Sequence, residues 1–396
     1  MTRIKTVVAG VDTHKDTHHA AVIDTAGRQI ADASFPTTKK GYVELSAFVS
    51  SFGELVRVGV EGTGSYGAAL TRHLQEQGIE IVEVIRPNRQ VRRMKGKSDP
   101  IDAYAAARTA LTEPDAPTPK DGTGPAEQIR YLLVARRRAV KARTSALIQI
   151  KTLLITAPDV LRSRLREMSE NTLILTLSRL RPDAEDPIRY VLKSLAKRHI
   201  HLTAEITDLE VMLTPLVTST NPGLAATKGL GAITAAQLLV TAGDNPDRLR
   251  SEAAFAALCG VSPIPASSGK TTRHRLNRGG DRQANAALHR IVLVRMSYEP
   301  RTRDYVARKR AQGHSTKEII RCLKRAVARE LFTLLTKQVD VPRVDDLRPL
   351  RQARGITLTA AAHHFEIWPT ILSDVERGLR RHDDLVTAYR QWLTAA

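Results

Sequence analysis

The chain has 396 residues, enough for two or three domains, and 61 lysines and arginines against 41 acids give it a net charge of +20. This excess predicts a polyanionic partner, and nucleic acid is the usual one. The two cysteines exclude a disulfide framework and a zinc-ligand spacing, and the apolar runs are too short for a membrane span or a signal peptide, so we expect a cytoplasmic, nucleoid-associated protein.

Residues 1–114 alternate between short apolar runs and amphipathic segments, which predicts an α/β domain. A turn at Thr25-Ala26-Gly27 joins the second and third predicted strands as a hairpin. A three-strand meander followed by alternating helices and strands is the order of an RNase H-like domain, in which the first and fourth strands are neighbours. The predicted strands are 6–12, 18–24, 29–34, 56–61 and 79–85, and the predicted helices are 40–50, 66–77 and 100–112.

Four carboxylates stand at the ends or starts of these elements. Asp12 ends the first strand and Glu61 the fourth, while Asp99 and Asp102 begin the last helix and share one face of it. Two like charges about 4 Å apart repel by roughly 4 kcal/mol at an effective dielectric of 20, so a cluster of four needs cations. Carboxylate oxygens suit Mg²⁺, and paired Mg²⁺ ions serve phosphoryl transfer. Any one of these acids alone is ordinary turn chemistry.

A strongly basic segment lies directly before Asp99. We expect it to contact phosphate backbones and to lead nucleic acid to the four acids, with a solvated charged surface as the alternative. The basic residues of this segment are Arg86, Arg89, Arg92, Arg93, Lys95 and Lys97.

Residues 115–128 are rich in Pro, Thr, Gly and Asp and predict a linker.

Residues 129–220 predict a helical coiled-coil section. An apolar residue recurs every seven positions from Leu133 to Leu154, and a second run from Ile188 to Leu216 follows a 4-3 spacing that only His199 interrupts. Two such helices form either an antiparallel hairpin or a dimer stalk, and the spacing does not choose between them. We expect basic residues of the first helix to contact nucleic acid, namely Arg136, Arg137 and Arg138.

The segment 221–340 predicts a helical domain with two loops of chemical interest. Lys228 opens a turn with Gly229 and Gly231, and such a Gly-x-Gly turn, as in a helix-hairpin-helix, lets backbone N–H groups approach a phosphate. A serine loop follows, with Ser267, Ser268 and Gly269. A hydroxyl held among guanidinium groups can attack a phosphate, although an ordinary polar loop is the simpler interpretation. The cations of the loop are Lys270, Arg273, Arg275 and Arg278.

Residues 343–396 predict a small helical domain similar to a divergent phage-repressor helix-turn-helix. The first helix of the motif is expected at Thr359–Phe365 and the recognition helix at Pro369–Glu376. Glu366 replaces the glycine that is usual in the turn, and Trp368 stands at the start of the recognition helix. DNA binding and protein contact both stay open for this domain.

Several of these motifs occur together in one known family. GVDTHKD around Asp12, VEGTGSYG around Glu61 and KSDPIDA around Asp99 and Asp102 resemble the DEDD motifs of the IS110 family of insertion-sequence transposases. KGLGAITAAQLLVTAGD and FAALCGVSPIPASSGKTTRHRLNRGGDRQANAALHR resemble the second conserved domain of that family. The resemblance runs from residue 7 to about residue 335, and the last domain lies beyond it.

The resemblance implies a RuvC-like N-terminal domain that binds Mg²⁺, as two ions, through Asp12, Glu61, Asp99 and Asp102. It also implies a transposase domain whose serine becomes covalently joined to a DNA strand end. That serine precedes a glycine, which corresponds to Ser268, with Ser267 as the alternative nucleophile. The implied partners are donor and target DNA, a structured bridge RNA that selects both DNAs by base pairing, and further copies of the chain in a dimer or tetramer.

Other classes of protein share part of this pattern. A junction resolvase would hydrolyse DNA at the acids without a covalent serine. An actin-like or sugar-kinase fold shares the opening strand, aspartate and hairpin and binds ATP, but the sequence lacks a later glycine-rich adenosine motif, and the basic charge does not suit a small metabolite. A non-catalytic nucleic-acid-binding protein has no use for the complete acidic set. We therefore expect a DNA transposase or recombinase.

Overall fold

In a computed structural model of the chain, the structure describes residues 5–84, 98–181, 186–269, 274–337, 342–378 and 382–395. The chain divides into two compact units. The first unit comprises 1–124 and 242–248, and the second unit comprises 125–241 and 249–396. None of the described helices combines the length and the apolar character that a bilayer crossing needs.

The first unit is built on a five-stranded mixed sheet with the order β3-β2-β1-β4-β5. β2 pairs antiparallel with β1 and β3, whereas β4 lies parallel between β1 and β5. β1 and β4 are therefore neighbours, as the order of elements predicts. The strands are β1 (Thr6–Thr13), β2 (Thr17–Asp24), β3 (Gln29–Pro36), β4 (Glu54–Glu61) and β5 (Ile81–Val84).

Helices cover both faces of this sheet. α1 (Lys39–Ser50) and α2 (Ala68–Glu76) pack Leu45, Val49, Leu70 and Leu74 against one face, and α3 (Asp99–Thr112) packs a row of alanines against the other. α2 begins two residues later than the sequence predicts, because the preceding residues form a turn in which Gly62 adopts a left-handed φ of 68°. The N-terminal unit is thus a mixed α/β domain, as expected.

A short segment distant in sequence completes the first unit. Asp244 accepts a hydrogen bond from the Gly124 N–H (3.2 Å), Asn245 donates to the Pro119 carbonyl (2.9 Å), and Arg248 donates to the Thr118 carbonyl (3.0 Å). These side chains satisfy backbone groups of the irregular residues 118–124, which have no ladder of their own. Residues 242–248 therefore hold the predicted linker region in a fixed path.

The second unit begins with an antiparallel helical hairpin. α4 (Pro125–Thr156) and α7 (Pro187–Thr220) pack along each other, with the short α5 (Asp159–Leu165) and α6 (Glu170–Ser178) between them in sequence. Arg136 bonds Glu210 at 2.6 Å, and Ala139 packs on Leu202 and Ile206, so residue numbers rise along one helix as they fall along the other. Of the two arrangements left open by the sequence, the described chain contains the hairpin.

The remainder of the second unit is helical apart from one two-stranded hairpin, β6 (Ile264–Pro265) with β7 (His274–Arg275), in the part of the chain that the structure describes. Together with the first unit, this gives a mixed α/β start followed by a mostly helical chain, in agreement with the predicted fold class at this level. Its helices are α8 (Pro222–Ala225), α9 (Ala232–Ala242), α10 (Glu252–Leu258), α11 (Arg282–Tyr298), α12 (Pro300–Ala311), α13 (Thr316–Thr336), α14 (Leu347–Ala353), α15 (Leu358–His364), α16 (Pro369–Glu376) and α17 (Asp383–Thr394).

The last four helices form a small bundle around an apolar core and one buried ion pair. Arg351 donates to both carboxylate oxygens of Glu376 (2.6 and 3.0 Å), and the Tyr389 hydroxyl donates to the same carboxylate at 2.8 Å. The turn between α15 and α16 contains Glu366 with φ 53°, the left-handed conformation that glycine normally supplies there. The sequence interpretation of Glu366 as a replacement for the turn glycine therefore matches its backbone conformation.

Candidate metal centre and serine loop

The centre of the acidic site consists of Asp12, His14 and Asp99. One ligand atom from each lies within 4.8 Å of the other two. His14 Nδ1 is 3.7 Å from an Asp12 carboxylate oxygen, and His14 Nε2 is 3.9 Å from an Asp99 carboxylate oxygen. Asp12 is 5% exposed, whereas the side chains of His14 and Asp99 are about half exposed, so the group opens to solvent on one side.

Two glycines bring α3, and with it Asp99, to the strand ends. A Cβ atom on Gly10 would lie 2.1 Å from the Ala107 nitrogen, and one on Gly59 would lie 2.5 Å from the Ala106 carbonyl oxygen. The absence of a side chain at these two positions, one on β1 and one on β4, lets the backbone of α3 rest directly on the sheet. This close approach puts the first turn of α3 beside Asp12.

Glu61 ends the strand next to that of Asp12. The register pairs Val11 with Val60, so the two acids follow at the ends of adjacent parallel strands. Thr13 donates from its hydroxyl to the Glu61 carbonyl at 2.8 Å and ties the two strand ends together. Asp102 lies in the first turn of α3 and is 2% exposed. Among the described residues, the compact three-ligand group contains Asp12 and Asp99 of the four predicted acids, and neither Glu61 nor Asp102 belongs to it.

His14 is the functional candidate that the sequence interpretation missed. It lies two residues after Asp12, within the quoted GVDTHKD motif, and that proximity was the available signal. In the structure it stands between Asp12 and Asp99. The donor set fits a divalent cation, because two carboxylates supply the hard oxygens that Mg²⁺ prefers. The imidazole of His14 is a ligand that Mg²⁺ uses less than other divalent metals do.

A second polar network fixes the wall of the site. His19, which pairs with Asp12 across β1 and β2, shares 2.8 Å hydrogen bonds with Ser34 and with Asp32. The Tyr104 hydroxyl of α3 donates to Asp32 at 3.0 Å. Burial, followed by the Asp32 carboxylate, raises the pKa of Tyr104 to about 12, so its hydroxyl stays protonated and keeps donating. The network thus attaches α3 to β2 and β3 beside Asp12.

The serine loop is exposed but anchored at its base. Ser267 and Ser268 are both exposed, and Gly269 after them has a left-handed φ of 55°. The Asn285 side chain donates to the carbonyls of Cys259 and Gly260 (2.9 and 3.2 Å) and so holds the turn that leads into β6. Of the predicted loop cations, Arg275 and Arg278 are exposed, and Lys270 and Arg273 lie outside the described residues.

The other predicted nucleic-acid contacts have varied surroundings. Arg136 pairs with Glu210 and Arg137 donates to Gln237 (2.9 Å), whereas Arg138 is exposed. Arg295 donates to the Lys228 carbonyl (3.0 Å) and leaves little space beside Gly229, whose φ is 85°, while the space beside Gly231 is open. Residues 85–97, between β5 and α3, lie outside the described residues. They include Arg86, Arg89, Arg92, Arg93, Lys95 and Lys97.

Comparison with known proteins matches both halves of this chain to transposases. Residues 9–157 match the family model of DEDD transposases of the IS110 type, and residues 222–307 match the model of transposases of the IS116/IS110/IS902 family. A 42 kDa protein of insertion element IS900 from Mycobacterium paratuberculosis is 24% identical over 382 residues, which covers 83% of this chain and 95% of that protein. A 43.6 kDa protein of insertion element IS110 from Streptomyces coelicolor is 34% identical over 116 residues, 29% of this chain and 28% of that protein.

Proposed function

Because the chain belongs to the IS110 family of insertion-sequence transposases, we propose that it cuts and rejoins donor and target DNA through a covalent bond between Ser268 and a DNA strand end. The grouping of Asp12, His14 and Asp99 within 4.8 Å is the observation that carries the metal-dependent strand cleavage in this proposal. A site of this kind gathers negative charge at the end of a sheet. Because the site is open to solvent, a phosphodiester of DNA can reach a metal ion bound there.

In the proposal, a RuvC-like first unit holds divalent metal through Asp12 and Asp99, with Glu61 and Asp102 as the further carboxylates of the set. Bound Mg²⁺, in the family's manner as two ions, would supply Lewis-acid stabilisation of the charge that develops on the phosphate. The protein residues set the geometry: Thr13 ties the strand ends, and the close contact of α3 with Gly10 and Gly59 fixes Asp99. His14 would add an imidazole nitrogen to the same group of ligand atoms.

The proposed chemical step is a transesterification. Ser268 Oγ forms a bond to phosphorus while the bond from phosphorus to a deoxyribose oxygen breaks. The proton lost by the serine hydroxyl is balanced by the proton that the departing deoxyribose oxygen gains, so no cofactor is consumed. Rejoining reverses the step with a hydroxyl from the other DNA. Ser268, Arg275 and Arg278 are all exposed and belong to the same stretch of the chain, which supports this role, because guanidinium groups stabilise the negative charge of a phosphorane-like transition state.

The same proposal includes partners that the charge favours. A net charge of +20 suits simultaneous contact with DNA and with a structured bridge RNA that would select donor and target by pairing. We propose that two or four copies of the chain assemble on the DNA, so that acids and serines of different copies serve the same exchange.

The test is an assay of covalent adducts on DNA that carries the flanks of this reading frame. The full-length chain, supplied with RNA transcribed from those flanks, should give protein–DNA adducts that survive denaturation, and Ser268→Ala should abolish them while DNA binding persists. Ser267→Ala is the matched control and should retain the adducts. Adducts that persist in Ser268→Ala and disappear in Ser267→Ala would move the role to the neighbouring serine, and adducts in neither wild type nor variant would refute the covalent step.

The same assay separates the transposase from a junction resolvase, which the acidic site alone would also suit. A resolvase would give Mg²⁺-dependent strand cleavage with no adduct, and the cleavage would be indifferent to Ser268→Ala. Asp12→Asn should remove strand cleavage in either case, because it takes one negative charge from the metal centre. Cleavage unchanged by Asp12→Asn would mean that the acids are not catalytic.

We also propose that the C-terminal bundle contacts DNA and tethers the chain to its element. Trp368, at the start of the helix that corresponds to a recognition helix, is 76% exposed, which is unusual for a residue of its size. Removing residues 343–396 should weaken binding to double-stranded DNA. An unchanged affinity would assign the bundle to protein contact instead.

A further inference from the structure

A cavity of about 450 Å³ lies in the second unit, between α13 and the base of the hairpin of β6 and β7 that carries the serine loop. One side is formed by the turn before β6, including Val261 and Pro263, and by β7 with the following Leu276. The other side is a stretch of α13 from Arg321 to Arg329. This cavity is far larger than one phosphate group requires, and its volume falls within the range of about 300–1,000 Å³ that is typical of small-ligand sites.

The cavity carries a strong excess of positive charge. Arg321, Lys324, Arg325 and Arg329 follow one another at spacings of one to four residues and face the cavity from one side of α13, and Arg275 adds a fifth cation from β7. Its lining residues, all of them described, include no acid. Behind them, Glu252 forms ion pairs with Arg325 and Arg329. A site with five cations and one nearby carboxylate has a deficit of negative charge that an anion would fill.

Burial, followed by repulsion from Arg321, lowers the pKa of Lys324. Lys324 is held there by a 2.9 Å hydrogen bond to Asn285, the residue that also anchors the turn before β6. Lys324 is therefore fixed by the fold around the base of the β6–β7 hairpin; Lys324 and Arg325 are half-buried, whereas Arg275, Arg321 and Arg329 are exposed. Like charges that are fixed and partly removed from water favour a bound anion more than mobile surface lysines do.

The opposite character is found on the remaining walls. Val261, Pro263 and Leu276 present apolar surface there, and Leu276 is 54% exposed. Ala326 adds a methyl group within the cationic stretch of α13. A cavity with cations on one side and apolar groups on the other matches a ligand that combines a phosphate with a flat, largely apolar ring. A nucleotide has this combination, and bases stack on apolar walls in single-strand sites.

We propose that this cavity binds one unstacked nucleotide of a DNA strand, with its phosphate on the cations of α13 and its base against Val261, Leu276 and Ala326. The proposal rests on the function proposed above, because Ser268 lies three residues beyond the end of β6 and therefore at most about 10 Å along the chain from Pro265. A nucleotide held here would belong to the strand that the serine attacks, and its capture would hold that strand in place.

The test measures binding of two fluorescent single-stranded oligodeoxynucleotides of equal length, one with all bases and one with abasic positions. Ala326→Phe fills the cavity at an exposed helix position, and it should weaken binding of the base-bearing strand about tenfold, in line with the loss of one stacked base, with little effect on the abasic strand. Ala253→Phe, at an exposed position of α10 outside the cavity, is the matched control and should change neither affinity.

Arg321→Ala tests the phosphate half of the site. It should weaken both oligodeoxynucleotides and lower the slope of log affinity against log salt by about 0.7, the value for one phosphate contact with a single strand. Lys317→Ala removes the same charge from an exposed position of α13 outside the cavity and should have a smaller effect. Thermal unfolding of each variant checks that the fold is retained.

Three results would overturn the proposal. The first is wild-type binding of the base-bearing strand by Ala326→Phe. The second is an equal loss for both strands in that variant, which would indicate a phosphate groove without a base site. The third is binding of free deoxynucleoside monophosphate as tight as that of the strand, which would indicate a site for free nucleotides. Each result is independent of adduct formation. If adducts form but Ala326→Phe has no effect on binding, only this inference is wrong. If no adducts form, the proposed function is wrong even when the binding results are as expected.

Discussion

Two regions of the molecule bury a carboxylate, and they do so in opposite ways. Glu376 of the C-terminal bundle is 8% exposed and is gripped by both arms of the Arg351 guanidinium and by the Tyr389 hydroxyl. Asp12 of the first unit is 5% exposed, and its charged neighbourhood includes a second carboxylate, Asp99, across His14. The first arrangement is neutral within the protein, whereas the second gathers negative charge toward an opening.

The contrast separates a structural acid from a chemical one. A buried acid with a bidentate arginine contributes order and has no capacity left for a ligand. Acids gathered at a strand end repel each other, and a divalent cation removes that repulsion. Proximity to a second acid, rather than burial itself, is therefore what marks Asp12 as a site residue. The variants that follow test each side of this comparison.

Arg351→Ala should have the largest effect on stability. It leaves the Glu376 carboxylate buried without its guanidinium, which typically costs about 3–5 kcal/mol. Chemical denaturation of the full chain, followed through Trp368 and Trp392 of the bundle, would measure the loss. Arg348→Ala removes an exposed arginine of the same helix and should cost no more than about 0.5 kcal/mol. Equal losses in the two variants would contradict the structural role of the buried pair.

Gly10→Ala should disturb the acidic site through packing alone. The added Cβ would meet the Ala107 nitrogen at 2.1 Å, so α3 must move away from β1, at a cost of about 1–3 kcal/mol. Because α3 carries Asp99, binding of Mn²⁺ as a probe for the metal should weaken as well. Gly64→Ala, where a Cβ has open space, should leave both stability and metal binding unchanged. A Gly10→Ala protein with wild-type metal affinity would show that the close approach does not position the site.

Acid should loosen the bundle through Glu376. Burial tends to raise the pKa of this carboxyl, but hydrogen bonds from Arg351 and Tyr389 outweigh burial and hold the pKa below its usual 4.5. A lowered folded-state pKa means that the stabilisation is complete above pH 4.5 and is lost as pH falls through the folded-state value. Denaturation midpoints measured from pH 6 downward should therefore decrease once the pH is below 4.5. The midpoint of Glu376→Gln should depend less on pH in that range. A steeper dependence in that variant would reverse the assignment.

Glu366→Gly should have the smallest effect and the opposite sign. Glu366 has φ 53°, a conformation that costs a non-glycine residue about 1–2 kcal/mol, and glycine adopts it without strain. The greater freedom of glycine in the unfolded chain takes back part of this gain. We expect the bundle to become more stable by about 0.5–1 kcal/mol in thermal denaturation. A loss of stability would indicate that the Glu366 side chain contributes contacts worth more than the strain.

The sequence predicts the elements of the first unit well because each carries a local signal. The apolar run of β1 ends at Asp12, and Pro100 fits the first turn of α3, so both strand end and helix start are visible in the residues themselves. The adjacency of β1 and β4 follows from the order of elements. The family resemblance also names the acids before any coordinate is known.

What the sequence does not reveal depends on contacts between distant residues. Nothing in the sequence around Gly10 and Gly59 distinguishes them from other glycines, and their role is seen only in the close contact with α3. His14 stands within a motif, yet its position between Asp12 and Asp99 depends on where α3 begins in space. The choice of a helical hairpin for α4 and α7 likewise depends on pairs such as Arg136 and Glu210, which heptad spacing does not specify.

The central claim is that Asp12 and Asp99 hold a divalent metal ion, and a direct measurement of metal binding tests it best. Electron paramagnetic resonance would follow Mn²⁺ binding, with Mn²⁺ standing in for Mg²⁺, to wild type, Asp12→Asn and Asp99→Asn, with Asp16→Asn as a control at an exposed neighbouring acid. The account predicts that Asp12→Asn and Asp99→Asn each weaken binding at least tenfold and that Asp16→Asn binds as wild type. Equal Mn²⁺ affinity in wild type and Asp12→Asn would contradict it.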